Sequence, residues 1–222
     1  MRVSLLLAVP RQVLPILFAS LLVACQSEPS HLYVLNAAAT ATPDRSAVLA
    51  SADAPGRGHG ALPNPARLLG VTVVLPQYLD TLDIVERVGA NELKPNPDAQ
   101  WGESLSIDAT RVVAENLGAR LPSVEVIMLP SRMQRVPDYE VEIDLTRFES
   151  DRAGNALAKG RWTISDDAGH EVASARVWRQ EQVGGGGYDA TAAAMSRILA
   201  AVSADIAAAA ETLSARDSAA RN

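Results

Sequence analysis

Apolar and polar residues alternate most regularly along residues 139–146. Three apolar side chains point one way and the polar residues between them point the other way: Val141, Ile143 and Leu145 against Glu140, Glu142 and Asp144. A period of two residues is typical of a strand with one buried and one exposed face. Phe148 breaks the alternation and predicts a β-bulge or a strand end. Turn sequences at 151–155 and 166–169 then separate two further strands, which predicts an antiparallel meander.

Shorter apolar runs predict strands earlier in the chain. One is expected at residues 32–35 and another at 67–75, followed by a turn that contains Tyr78. A hairpin is expected at 84–94, around a loop that contains glycine. The sequence Pro-Asn-Pro-Asp follows at 95–98 and is expected to end the hairpin, because proline cannot donate to a ladder. This interpretation places Trp101 in a loop.

Two segments have the spacing of amphipathic helices. The first covers residues 103–121 and is stopped by Pro122. The second begins near Asp189 and carries one apolar stripe: Met195, Ile198, Leu199, Val202, Ile206, Ala209 and Leu213. Strands outnumber helices, and the helices fall between and after blocks of strands. The predicted fold class is therefore α+β, with a mainly antiparallel sheet and two helices packed on one of its faces.

Residues 1–24 have the layout of a secretory signal, with Arg2 and Arg11 beside an apolar run that is too short to span a bilayer. The run ends in Leu22-Val23-Ala24-Cys25, which has the pattern of a lipobox. We expect cleavage between Ala24 and Cys25 and acylation of the Cys25 thiol. The alternative, an uncleaved anchor helix, leaves the position of the only cysteine unexplained.

This interpretation sets the domain organisation. Residues 25–31 form a lipidated N-terminus and a short tether, and residues 32–213 form a single domain. Residues 36–66 are rich in Ala, Thr, Ser, Pro and Gly without periodicity, so we expect a mobile loop there. Residues 214–222 are expected to be a disordered tail. Gln26 follows the cysteine in place of an aspartate that commonly retains lipoproteins in the inner membrane, which favours the outer membrane, facing the periplasm.

Charge and composition argue against several functions. Residues 1–24 hold two arginines and no acidic residue, so the mature chain has 18 basic and 26 acidic residues and a net charge of −8. Such a chain is a poor ligand for nucleic acid. The three histidines lie far apart, and the four-glycine run lacks the lysine of a phosphate loop. We therefore expect no enzymatic activity, no metal and no cofactor apart from the lipid on Cys25. Tyr78 and Trp101 are candidate partner contacts, because both are expected in loops.

The order of these features resembles one family, the ABC-type transport auxiliary lipoproteins of the PqiC and YmbA kind. The resemblance covers nearly all of the mature chain and departs from the family in the long 36–66 segment. The stretches that resemble the family are the lipobox, the strand at 32–35, residues 71–80, Ile84-Val85-Glu86-Arg87, Asn91-Glu92-Leu93, residues 101–105, residues 114–121, residues 139–143, Arg147-Phe148 and Gly187-Tyr188-Asp189-Ala190.

The resemblance implies an envelope protein that works with ABC transporter subunits and an MCE-domain protein. The family resemblance implies that such systems move lipids or other hydrophobic molecules between membranes. The lipoprotein is expected to act as a docking subunit at the outer membrane and not as the motor. The number of copies stays open, so a homo-oligomer is compatible with the sequence. The alternative is a pilotin-like scaffold for the assembly of an outer-membrane complex, which would share the anchor and the small α+β domain.

Overall fold

A computed structural model describes residues 30–38, 67–132 and 135–220, with side chains up to Leu213. Its strands are β1 His31–Tyr33, β2 Leu68–Val74, β3 Asp83–Gly89, β4 Glu92–Trp101, β5 Glu125–Met128, β6 Tyr139–Asp151, β7 Asn155–Asp166 and β8 Glu171–Gln182. Its two α-helices are α1 Leu105–Arg120 and α2 Tyr188–Ala220, and a short 3₁₀ turn covers Gln77–Leu79.

The central strand of the sheet is β6. One edge of β6 pairs antiparallel with β7, and β7 pairs antiparallel with β8. The other edge is shared, because β2 pairs in parallel with residues 139–144 and β3 pairs in parallel with Ser150 and Asp151. Beyond these, β5 flanks β2, while β4 and then β1 flank β3. The predicted mainly antiparallel sheet is confirmed by the long ladders, although β1, β2, β3 and β5 add shorter parallel pairings.

A bulge in β6 keeps the core continuous. The β6–β7 register shifts between Leu145 and Arg147, which leaves Thr146 as the extra residue. Before the bulge Val141, Ile143 and Leu145 are buried, and after it Phe148 takes the inward position, with no exposed surface. The predicted interruption at Phe148 is therefore a bulge, and β6 continues beyond it to Asp151.

Both helices cover the same face of the sheet, as predicted. Their buried side chains join those of β2, β6 and β7 in one apolar core, while Glu140, Glu142 and Asp144 on the opposite face stay exposed. The segment Tyr188–Leu213 of α2 is apolar and long enough to cross a membrane. However, its stripe packs into this core: Ile198, Leu199 and Ile206 have 0% exposure, and Ala209 and Leu213 are partly buried. A core helix meets the same test of length and composition.

The expected break at residues 95–98 is wrong. Strand β4 runs through Pro95 and Pro97 to Trp101. The reason lies in the strand pairing, because β1 pairs only with Ala99–Trp101 and leaves the preceding part of β4 as an edge. Proline is tolerated where the missing N–H would face away from a partner strand. The loop predicted for Trp101 is thus the end of a strand, and its side chain is 3% exposed.

The outer boundaries differ in detail from those predicted. Residues 36–38 of the expected mobile loop are described and hydrogen-bonded, whereas residues 39–66 lie outside the described residues. Helix α2 continues to Ala220, beyond the predicted domain boundary at residue 213, and residues 221–222 lie outside the description. The proposed signal peptide, 1–24, and Cys25 also lie outside it.

Gly160, which pairs with Leu145 beside the bulge, provides a test of this packing. A Cβ at this position would overlap the Asp144 carbonyl and lie 2.7 Å from the Leu145 Cα. We expect Gly160→Ala to lower the free energy of unfolding by about 1–3 kcal/mol, because the backbone of β6 must shift. Urea unfolding measures this change.

Gly118→Ala is the matched control. Gly118 lies on the exposed side of α1, and a Cβ added there would point into open space. Alanine should stabilise this helix by up to about 1 kcal/mol. Equal effects of the two substitutions on unfolding would contradict the close approach of β6 and β7 at Gly160.

Candidate functional site

The predicted site residues fall in three different environments. Ala24 and Cys25 lie outside the described residues, so their roles remain predictions. Tyr78 lies in the 3₁₀ turn between β2 and β3 and is half-buried. Trp101 belongs to the core. Within the described parts of the chain, no group of three or more Cys, His, Asp or Glu side chains is arranged to hold a metal ion.

Tyr78 leads to a cluster centred on Glu149. The Tyr78 hydroxyl donates to Glu149 Oε2 at 2.9 Å, and the Phe148 N–H donates to the same oxygen at 3.0 Å. The Nε atoms of Arg87 and Arg147 each donate to Oε1 at 2.8 Å. Four donors therefore occupy a carboxylate that is 1% exposed, which matches the number of acceptor positions that a carboxylate offers.

The protonation states in this cluster follow from burial and charge. Burial alone would raise the pKa of the Glu149 carboxyl, but hydrogen bonds from Arg87, Arg147 and Tyr78 lower it below its usual range. Burial, together with the neighbouring Glu149 carboxylate, raises the pKa of Tyr78 to about 12. Glu149 is thus ionised and Tyr78 is a neutral donor at pH 7.

The cluster lies where the neighbouring strand along one edge of β6 changes from β2 to β3. Partner β2 leaves β6 after Asp144, and β3 joins it at Ser150. Residues 145–149 of β6, which include the bulge, pair with neither β2 nor β3. The Glu149 carboxylate accepts the N–H of Phe148 there and also holds β3 through Arg87. Glu149 was not predicted as a site residue, although the break in alternation at Phe148 marked its position in the sequence.

A second network holds the start of the domain. Leu35 is fully buried, its N–H donates to Asp108 Oδ2 at 2.7 Å, and its carbonyl accepts from Arg111 Nη2 at 2.9 Å. Arg111 also pairs with Asp108. These contacts fix the segment directly after β1 to helix α1 through both of the backbone polar groups of Leu35.

Two more backbone groups strengthen this connection. The Asn36 N–H donates to Ser196 Oγ on α2 at 3.0 Å, and the Ala38 N–H donates to Asn116 Oδ1 on α1 at 2.8 Å. We call residues 34–38 the attachment segment. Because it bonds to both helices, it is joined to the core more firmly than the three-residue strand β1 would allow by itself. In this network, as in the Glu149 cluster, the charged side chains form hydrogen bonds to other parts of the same domain.

Substitution of Glu149 tests the cluster. Glu149→Gln replaces one acceptor with a donor, and we expect it to lower the free energy of unfolding at pH 7 by about 1–3 kcal/mol. The pKa of Glu149 is lowered in the folded state, so its stabilisation is present above the unfolded pKa and is lost as the pH falls through the folded pKa. The difference between the variant and the wild type should therefore shrink below about pH 4.

Glu171→Gln makes the same chemical change in an exposed ion pair with Arg161. Such exposed pairs contribute little to stability because solvent screens the charges. Chemical denaturation of both variants across pH distinguishes the two sites. A loss at Glu149 no larger than that at Glu171, or one independent of pH, would contradict the assigned role of the cluster.

Substitution of Asp108 tests the attachment segment. Asp108→Ala should leave the buried Leu35 N–H without its acceptor and cost about 1–3 kcal/mol. Amide hydrogen exchange should accelerate at residues 35–38 more than in β6. The control is Asp205→Ala, which removes a half-exposed ion pair between α2 and Arg179. If exchange at Leu35 were unchanged in Asp108→Ala, the segment would be held by other contacts.

Comparison with solved structures supports this fold. An uncharacterized protein matches with a TM-score of 0.57 at 22% identity, covering 66% of this chain and 93% of its own. A protein of the DUF330 family from Xanthomonas campestris matches with a TM-score of 0.56 at 22% identity, covering 71% of this chain and 92% of its own. At this identity, the likeness concerns the fold.

Comparison with protein families gives the assignment. A search of curated proteins returns no match. The family described as "ABC-type transport auxiliary lipoprotein component" matches residues 48–207, which is well over half of the chain. This range includes Tyr78, Arg87, Arg147 and Glu149, and it confirms the resemblance found in the sequence. The chain belongs to the family of ABC-type transport auxiliary lipoprotein components.

Proposed function

We propose that this protein is a non-enzymatic auxiliary subunit of an ABC transport system, held at the outer membrane by a lipid on Cys25 and facing the periplasm. The observation that carries the proposal is the family match, which begins at residue 48. It is independent of the lipobox, since residues 22–25 lie outside the matched range. Two separate parts of the chain therefore indicate a lipoprotein.

The contacts of the attachment segment support an anchoring role. His31 begins the first strand only six residues after Cys25, and Leu35 is already fixed to α1. A lipid on Cys25 would therefore hold a folded domain by a short connection. Two or three acyl chains give essentially permanent attachment, since each buried methylene contributes about 0.8 kcal/mol.

The proposed partners are ABC transporter subunits and an MCE-domain protein, with lipids or other hydrophobic molecules as cargo. We place the docking surface at the Tyr78 turn, because Glu149 fixes this turn to the centre of the sheet while Gln77 and Asp80 remain exposed. Trp101, the other candidate contact, is buried, so its side chain is not part of this surface. Family membership does not favour a pilotin-like scaffold, and a homo-oligomer remains compatible with the proposal.

Partner capture tests the proposal. The full-length protein is cross-linked lightly in its native membrane, extracted in mild detergent and isolated, and co-purifying proteins are identified. We expect ABC transporter subunits and an MCE-domain protein. Asp80→Lys at the Tyr78 turn should lower their recovery, whereas Asp167→Lys at the exposed β7–β8 turn should leave it unchanged. Recovery of an outer-membrane pore alone, or of no partner, would contradict the proposed function.

The Cys25→Ser variant tests the anchor in the same cells. We expect it to accumulate as an unprocessed precursor without lipid, because the thiol that forms the thioether is missing. Mass spectrometry measures the retained 24 residues and the absent acyl chains. Normal processing and normal extraction from the membrane in this variant would exclude the lipobox.

A further inference from the structure

Two exposed apolar side chains lie at the beginning of the folded domain. Leu32 is 67% exposed and Val34 is 48% exposed. The residues that alternate with them face inward, since Tyr33 packs against the core near Tyr188 and Leu35 is fully buried. The alternation of an extended chain therefore holds Leu32 and Val34 on the outer side. We call these two residues the β1 patch.

The backbone that carries the β1 patch is held in place on its inner side. Leu32 is in register with Gln100 of β4, and the Gly102 N–H donates to the Tyr33 carbonyl at 2.8 Å. Val34 packs beside Gly102, and Leu35 is bonded to Asp108. The patch is thus a fixed feature of the domain surface, and the outer edge of β1 has no strand partner among the described residues.

The length of the chain limits what can lie next to the β1 patch. Cys25 and Leu32 are seven residues apart, and an extended chain spans at most about 3.6 Å per residue, so the separation is no more than roughly 25 Å. Short tethers of this kind give effective concentrations in the millimolar range. At such an effective concentration, even a weak affinity of two apolar side chains for the bilayer interface is enough to keep them in contact with it.

We infer that the β1 patch rests on the lipid bilayer, with Leu32 and Val34 entering the interface beside the acyl chains of Cys25. The contact is apolar in origin, because the mature chain has a net charge of −8 and lacks the basic cluster that attracts anionic lipids. It gives the domain one orientation relative to the membrane. This inference rests on the proposed lipidation of Cys25.

Single-cysteine variants allow a direct test, since Cys25 is the only native cysteine and its thiol is blocked by lipid in the proposed form. Leu32→Cys and Val34→Cys are labelled with an environment-sensitive fluorophore in the full-length, membrane-extracted protein. The protein is reconstituted in vesicles of phosphatidylethanolamine and phosphatidylglycerol. Val136→Cys is the control, because Val136 is 69% exposed and lies in the connection between β5 and β6.

We expect lipid-attached quenchers to quench the labels at 32 and 34 about twofold or more above the label at 136, consistent with insertion into the interface. A water-soluble quencher should give the opposite order. Equal quenching at all three positions, in protein whose Cys25 is acylated by mass spectrometry, would overturn the inference and leave the proposed function intact. Absence of the acyl chains would overturn both.

A third result would identify a different occupant. Labels at 32 and 34 that are protected from the water-soluble quencher but are not reached by lipid-attached quenchers would be covered by protein. A second copy of the chain or its own residues 39–66 would then occupy the β1 patch. Either outcome would overturn the assignment of this surface to the bilayer.

Discussion

Glu149 connects β6, β3 and the Tyr78 turn at the point where the strand ladders of β6 are interrupted. The edge of β6 that faces away from β7 is shared by β2 and β3, and neither strand pairs with the residues next to the bulge. A buried carboxylate with four donors adds side-chain hydrogen bonds there, to Arg87 of β3, to the Tyr78 turn and to the backbone of β6 itself. Glutamine would offer fewer acceptor positions, and an apolar residue would leave two partly buried guanidinium groups without their counter-charge.

The bulge links this polar cluster to the apolar core. One extra residue in β6 reverses the direction of the side chains that follow, so Phe148 points towards the helices while Arg147 and Glu149 point away from them. Without the bulge, strict alternation would place Phe148 outside and Glu149 within the helix-covered layer. Gly160 permits the close approach of β7 at this point. A single irregularity therefore places Phe148 in the core directly beside the buried Glu149 cluster.

Patterns within short stretches predicted the elements well, because periodicity depends on neighbouring residues. The α+β class, both helices and the interruption at Phe148 follow from such patterns. The failure at Pro95 and Pro97 has a different origin, since their tolerance depends on β1 leaving part of β4 as an edge. The contacts of Glu149 with Tyr78 and of Ser196 with Asn36 join residues 71 and 160 positions apart. Local periodicity holds no information about such pairs.

The attachment segment connects this architecture to the proposed anchor. Three residues of β1 would hold weakly alone, and a force along the tether would separate them from β4 readily. The hydrogen bonds of Leu35 to Asp108 and Arg111 transmit such a force to α1. The hydrogen bond of Asn36 to Ser196 transmits part of it to α2. Because both helices belong to the common core, the force is distributed over the whole domain. In the proposed arrangement, a pull from the lipid anchor would therefore reach the core through the attachment segment as well as through the three residues of β1.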